Sequence, residues 1–397
     1  MINNFEFLIP TKIIFGKGTE KTVGEQIEPF GKNVLIHFGG NFVKDTGLLQ
    51  SVTKSLEENN IHYEILDGVL SNPRLSLIRK GIQICREHKI DFILAIGGGS
   101  AIDSAKAIGI GTPYDGDVWD FFKGKLPVTE TLPVGSILTI PSAGSECSNG
   151  TVITNEDGFY KRSVNYEIIR PKFAILNPEL SYTLPAYQTA CGITDMISHV
   201  MENYFTNVER VDLVDKLCEA TIKTVIKNAA IVMRDPNDYE ARAQIMWSAN
   251  FAHAGMLSTG RVGDWGSHNI EHELSAQYDI AHGAGLAILF PAWMKYVYKH
   301  DMDRFVQFAV QVWDVDFYSY LTKEEIIFEG IKRMTRFFKD LGMPVTLEDA
   351  GIDESHFTLM AKKCVEDGPV GNFVKLDYED VLAIYKIAAM SPQDKAN

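Results

Sequence analysis

The sequence predicts two successive domains, an α/β half built on a parallel sheet and an all-helical half. Three observations predict it. Up to about residue 180, short apolar runs alternate with helical patterns, the order that gives parallel strands joined by crossover helices. After Pro185 the β-branched clusters and turn dipeptides become sparse and helical periodicity dominates. The chain has 397 residues, enough for two domains of ordinary size. We therefore expect an α/β domain over residues 1–183 and an all-helical domain over residues 184–397.

The elements come in order along the chain. NVLIHF (33–38), YEILDGV (63–69), DFILAIG (91–97), SILTIPS (136–142) and KFAILNP (172–178) read as strands. The stretches 42–59 and 74–88 read as the first crossover helices. In residues 151–164 the Asp157-Gly158 pair stands between two β-rich runs, the signature of a hairpin. From 186 to 205 apolar residues recur at helical spacing, as they do in most of the chain beyond 205.

Composition excludes several classes of function. The 38 basic and 52 acidic residues give a net charge of −14, which repels nucleic acid and anionic membranes. Cys85, Cys147, Cys191, Cys218 and Cys364 are scattered, without a C-x-x-C pair. They form neither a disulfide framework nor a thiolate zinc site. The first ten residues lack the basic start and apolar run of a signal peptide. No stretch reaches the roughly 20 apolar residues of a membrane span. We expect a cytoplasmic protein.

DFILAIGGGSAIDSAKAIG (91–109) is a strand, a glycine run and a helix. Gly97, Gly98 and Gly99 let backbone approach a bulky anion, with the N–H groups of the next helix facing it. Ser100 and Asp103 form a capping-box-like pair, so both have a purely structural reading as a helix start. The spacing matches neither G-x-G-x-x-G nor the P-loop pattern. A second turn, Gly39-Gly40-Asn41, ends the first strand of the alternating set. Two glycine turns at strand ends point to a dinucleotide, which binds open α/β sheets at the carboxyl ends of the strands. The second turn carries no carboxylate to repel a 2′-phosphate, which favours NADP(H) over NAD(H).

The helical half carries a second chemistry. Asp195 and His199 are four apart, as are His268 and His272, and His282 comes ten residues later. On a helix such pairs share a face. A carboxylate with imidazoles and no thiolate suits Fe²⁺, Zn²⁺, Mn²⁺, Co²⁺ or Ni²⁺. The flanks of 268–282 are apolar and glycine-rich, where an unpaired imidazole is costly. His268 to His272 also spells H-x-x-E-H, the inverted zinc-peptidase pattern with Glu271 as base. That reading leaves the glycine-rich half unexplained and gives Asp195 and His199 no use.

Taken in order, GGGSAIDSAKAIG, LTIPSAGSE, D-x-x-x-H at 195–199 and H-x-x-x-H at 268–272 before AHGAGLAILFPAW resemble the iron-containing (group III) alcohol dehydrogenases. The similarity is greatest to their NADPH-dependent butanol dehydrogenase branch and spans nearly the whole chain. It implies a Rossmann-like N-terminal domain and an all-α C-terminal domain, in the dehydroquinate synthase-like fold. It implies one divalent metal, Fe²⁺ or Zn²⁺, on Asp195, His199, His268 and His282, with His272 beside the substrate as candidate proton relay. It assigns the pyrophosphate to Gly97, Gly98, Gly99 and Ser100, and the nicotinamide ribose side to Asp103, Thr139 and Ser142. Lys161 is assigned to the cofactor's ribose or phosphate, Gly39, Gly40 and Asn41 to its adenosine end, and Asn72 joins the cofactor-binding set. The sequence departs from the family pattern at Asn41-Phe42, where relatives that favour NADP often carry Ser, and at Cys147-Ser148.

The activity implied is hydride transfer between NADP(H) and a primary alcohol or aldehyde such as butanol or butanal, by a homodimer. KIIFGKGT is expected to supply a strand across the dimer interface. The rivals are a dehydroquinate-synthase-like lyase, the zinc peptidase, and a non-enzymatic oligomeric or metal-storage protein that keeps the fold without turnover. The lyase's polyanionic substrate needs several basic residues near the metal, and between 243 and 294 Arg261 is the only one besides histidine. Trp265, Phe251 and Met256 are candidates for an apolar pocket, with plain helix core as the structural alternative.

Overall fold

Six short strands make one parallel sheet in the order β1-β8-β5-β4-β2-β3. They are β1 Lys12–Phe15, β2 Asn33–Phe38, β3 His62–Leu66, β4 Phe92–Gly97, β5 Val134–Leu138 and β8 Phe173–Leu176. A computed structural model describes residues 1–390 of the chain. The sheet forms because its central strands are apolar on both faces, and a parallel sheet must be covered on both. Along β4, Phe92, Leu94 and Ile96 enter one core with Val52 and Leu56. Ile93 and Ala95 enter the other with Ile78, Ile82 and Ile108. A hairpin, β6 Gly150–Asn155 with β7 Tyr160–Asn165, turns at Asp157-Gly158 as expected.

One sequence expectation changes here. The helix expected over 42–59 is broken at Gly47, whose φ of +76° closes one short helix and opens Leu48–Glu58. The KIIF segment is β1, which pairs with β8 at the edge of the sheet.

The chain divides into two units that interleave along the sequence. The α/β unit is Leu8–Leu184 with Pro236–Ala254, and the helical unit is Met1–Phe7, Pro185–Asp235 and Gly255 onward. The inserted helix Tyr239–His253 joins the α/β unit through side chains. Asn250 donates to Glu146 (3.2 Å), His253 bonds the Ala143 carbonyl (2.7 Å), and Trp247 meets Phe15 edge to face.

In the helical unit, His282–Val297 is apolar nearly all round and buried along its length, as a central helix must be. Ala186–Tyr204, Gly266–Tyr278 and Tyr378–Ala389 pack around it. Among the described residues no helix is long and apolar enough to cross a membrane.

Candidate nucleotide loop and metal centre

Strand order places the glycine turns. The chain leaves β2 for β3 on one side and returns to β4 on the other, so the β2/β4 boundary is a topological switch point, where open α/β sheets bind ligands. Phe38 of β2 is level with Ile96 of β4, and Gly97 of β4 with Leu138 of β5. The Gly39-Gly40-Asn41 turn, the Gly97–Ser100 loop and Thr139 therefore stand at the carboxyl ends of three neighbouring strands. Gly97 has φ +154°, and a Cβ on Gly98 would come within 2.8 Å of the Ile140 Cβ. Only glycine allows this loop to run so close to the next one. The helix Gly99–Gly111 starts there without a side-chain cap, so Ser100 and Asp103 do not form the expected capping pair.

Asp103 and Lys106 instead hold the segment 143–152. Asp103 accepts the Ser145 hydroxyl and the Val152 N–H (3.0 Å), and its backbone carbonyl accepts the Thr151 hydroxyl (2.8 Å). Lys106, fully buried, donates to the carbonyls of Ser145 (2.7 Å), Ser148 (3.0 Å) and Gly150 (2.8 Å). Burial pushes its ammonium down to about 8, with Asp103 and Glu146 pulling the other way. On the far side of the segment, Asn250 holds Glu146 and His253 holds the Ala143 carbonyl. Thr139 is buried, and its N–H bonds the Gly97 carbonyl (2.9 Å). Ser142 is half-buried on the same loop. Asn72 is buried in a left-handed conformation (φ +58°), and Lys161 is buried on β7.

In the helical unit, donor atoms of Asp195, His268 and His282 lie within 4.8 Å of one another, as do those of Glu271, His272 and His282. The His268 and His282 Nε2 atoms are 4.0 and 3.8 Å from the Asp195 Oδ1. His199, one turn along from Asp195, bonds the Asp195 backbone carbonyl through Nδ1 (3.0 Å), and its ring centre is 4.5 Å from that of His268. His199 is in neither of these two groups of donor atoms. The tilted His272 ring lies 5.7 Å from that of His282. Burial works to raise the Asp195 carboxyl, but the His199, His282 and His268 imidazoles overcome it and hold it well below the usual carboxylate range.

His268 and His282 are each backed by a buried carboxylate. Glu202 accepts from His268 Nδ1 (2.7 Å), and Glu271 accepts from His282 Nδ1. This is the outer arrangement that fixes the tautomer of metal-binding histidines, so the residues present fit a divalent ion. Glu202 is a residue that sequence reasoning missed, although it lies seven residues after Asp195, two helical turns along the same face. Lys106 was missed as well, and nothing local marks it. Trp265 packs against the rings of His199 and His268, centres 5.8 and 5.4 Å apart. Phe251 belongs to the α/β unit and Met256 to the helical unit.

The two residues singled out for the rival chemistries are engaged elsewhere. Glu271 is fully buried and engaged by His282 and Ser275, so it is not poised as a peptidase base. Arg261 is spent on the Asn203 and Val211 carbonyls (both 3.0 Å) and the Asp215 carboxylate (2.8 Å), so the one basic candidate of that segment is committed elsewhere than to a polyanion.

Comparison with known proteins places the chain. The family model "Iron-containing alcohol dehydrogenase" matches residues 10–178, and "Fe-containing alcohol dehydrogenase family, C-terminal" matches 189–389. These matches make the protein an NAD(P)-dependent oxidoreductase acting on alcohols or aldehydes. It belongs to the iron-containing alcohol dehydrogenase family. It is 44% identical to NADH-dependent butanol dehydrogenase A of Clostridium acetobutylicum, over 96% of this chain and 99% of that one. It is 34% identical to the NADPH-dependent aldehyde reductase YqhD of Escherichia coli, over 92% and 94%. The crystal structure of NADH-dependent butanol dehydrogenase A from Thermotoga maritima superposes with a TM-score of 0.94 at 39% identity, covering 98% of this chain and 99% of the other.

Proposed function

We propose that the protein interconverts a short primary alcohol and its aldehyde, butanol and butanal being the model pair, with NADP(H) as the cofactor. The observation that carries this reading is the pairing of one buried aspartate with imidazoles whose outer nitrogens are held by buried carboxylates. Asp195, His199, His268 and His282 would hold one divalent ion, Fe²⁺ or Zn²⁺. The ion supplies Lewis acidity to the carbonyl oxygen, and the dinucleotide supplies the hydride. The chain's own work is placement. Gly97, Gly98, Gly99 and Ser100 present backbone to the pyrophosphate. Asp103, Thr139 and Ser142 line the nicotinamide ribose side, and Asp103 also holds the neighbouring loop. Gly39, Gly40, Asn41, Asn72 and Lys161 complete the nucleotide set. His272 exchanges the proton of the alcohol oxygen with solvent.

The functional division falls at 183/184, with every proposed nucleotide residue before it and every proposed metal ligand after it. A cytoplasmic homodimer fits this reading, and all five cysteines are free thiols.

NADP(H) is favoured by the Gly39-Gly40-Asn41 turn, which carries no acid. The 44%-identical relative is named for NADH, and that favours NAD(H) as a second reading. Both are tested by butanal-dependent oxidation of NADPH and NADH, with protein stripped of metal and then reloaded with Fe²⁺ or Zn²⁺. We expect turnover only after reloading, with kcat/KM higher for NADPH. A higher value for NADH transfers the cofactor assignment, and no turnover with either ends the proposal.

A further inference from the structure

We infer that Glu202 is a positioning residue for the metal centre: it caps the helix that carries His268 and, with the same carboxylate, sets the tautomer and direction of the His268 ring. The inference rests on the reading that Asp195, His268 and His282 hold a metal ion.

The local backbone explains why such a residue is needed. The helix Gly266–Tyr278 begins after Trp265, a tryptophan in the left-handed region (φ +65°), and Trp265 contributes no side-chain cap. The first N–H groups of a helix have no partner within it, and left buried they are costly. Here they are met by carboxylates from elsewhere. Glu202 Oε2 accepts the Trp265 N–H (2.6 Å), and Oε1 accepts the His268 N–H (3.1 Å). Asp264 accepts the Gly266 N–H (3.0 Å) and ties this turn to the Asn372 and Phe373 N–H groups (2.8 and 2.7 Å). The Asp264 N–H in turn bonds the Glu202 carbonyl (2.8 Å). Negative charge at a helix N-terminus also gains from the helix dipole.

Glu202 Oε1 has a second partner, His268 Nδ1 at 2.7 Å. Ionised, the carboxylate only accepts, which puts the ring proton on Nδ1 and leaves the lone pair on Nε2. Nε2 is the atom 4.0 Å from the Asp195 Oδ1. Asp195 and Glu202 lie on the same helix, Ala186–Tyr204. That helix therefore supplies one donor atom directly and aims another through Glu202. Glu271 backs the His282 ring in the same way. Glu202 goes further, because its two oxygens couple the placement of a helix start to the direction of a ring.

The test uses the full-length protein. Glu202→Gln keeps the shape and removes the charge and one acceptor. Metal affinity is measured by competition with a chelator, the ligand field by the absorption spectrum of the Co²⁺-loaded protein, and dinucleotide affinity by titration of the metal-free protein. Glu202→Gln is expected to weaken metal binding about 10–100-fold and to alter the Co²⁺ spectrum, with dinucleotide affinity as in the wild type. Asp195→Ala is run in parallel. If Asp195→Ala loses the metal and Glu202→Gln binds it as tightly as the wild type with the same spectrum, the positioning role is overturned and the metal reading stands. If both variants bind like the wild type, the metal reading itself fails. A measurement without a Glu202 variant guards against misfolding. In ¹⁵N-histidine-labelled wild-type protein, with the His268 signal assigned by its loss in His268→Gln, the Nδ1–H tautomer is expected, and the Nε2–H tautomer overturns the proposal.

Discussion

Two histidines show how little a residue type says by itself. His37 is fully buried on β2, bonding the Leu66 carbonyl through Nδ1 (2.9 Å) and Ser104 through Nε2 (2.8 Å). It is structural. His272 is half-buried beside His282, and is the relay we propose. His272→Ala is expected to lower kcat by about 10²–10⁴-fold, the usual worth of a positioned acid–base group, with metal content unchanged by elemental analysis. An unchanged kcat would pass the proton step to water or to the cofactor ribose. Asp195→Ala is expected to lower kcat/KM by a factor on the order of 10³, since Lewis-acid stabilisation is worth several kcal/mol. Steady-state kinetics at saturating metal checks it. The Asp195–His199 and His268–His272 pairs stood out because helical spacing is a local property, while His282, at the start of the next helix, rested on closeness in sequence and on the family resemblance. The Glu202 role was not, because its partner lies 66 residues away.

Among the elements, the glycine-loop helix and the loop beside it act as one piece. Gly98→Ala forces a Cβ to within 2.8 Å of the Ile140 Cβ, with Ile140 held in the neighbouring loop. Overpacking of this kind costs about 1–3 kcal/mol. We expect a lowered Tm and dinucleotide binding weakened about tenfold, each 1.4 kcal/mol being a factor of ten. Wild-type affinity by titration would show that the close approach is not used by the ligand. Lys106→Met removes the ammonium from three buried carbonyls that accept from it. We expect a loss of about 3 kcal/mol in denaturant unfolding, and an effect within ~0.5 kcal/mol would mean that water replaces the ammonium.

At the scale of the molecule, stability depends on pH and on metal. Burial pushes the His37 imidazole down from 6.5 to about 4. The folded protein keeps it neutral where the unfolded chain takes up a proton. The unfolded state therefore binds more protons between these values, and stability present above about 6.5 is lost as pH falls toward 4. The effect is at most about 3 kcal/mol at 1.36 kcal/mol per unit. We expect Tm to fall less steeply between pH 7 and pH 5 in His37→Gln than in the wild type. Parallel curves would assign the acid sensitivity to other groups. A ligand that binds only the folded state raises Tm by mass action. Added Fe²⁺ or Zn²⁺ is thus expected to raise the Tm of the wild type and not that of Asp195→Ala, by scanning calorimetry.

The sequence by itself determined the parallel strands, the glycine turns at their ends, the hairpin and the helical texture after Pro185. Each is encoded in residues a few positions apart, through apolar periodicity and the steric freedom of glycine. It also carried the Asp–His spacing and the family resemblance. Tertiary structure decided what distance along the chain conceals. The helix Tyr239–His253 reads like its neighbours in sequence, yet Asn250, His253 and Trp247 seat it in the α/β unit. Glu271, a catalytic base in the peptidase reading, is turned onto His282, and Asp103 grips a loop instead of capping its own helix. In each case the side chain has several chemically equivalent partners within reach of its type, and only packing brings one of them within hydrogen-bonding distance.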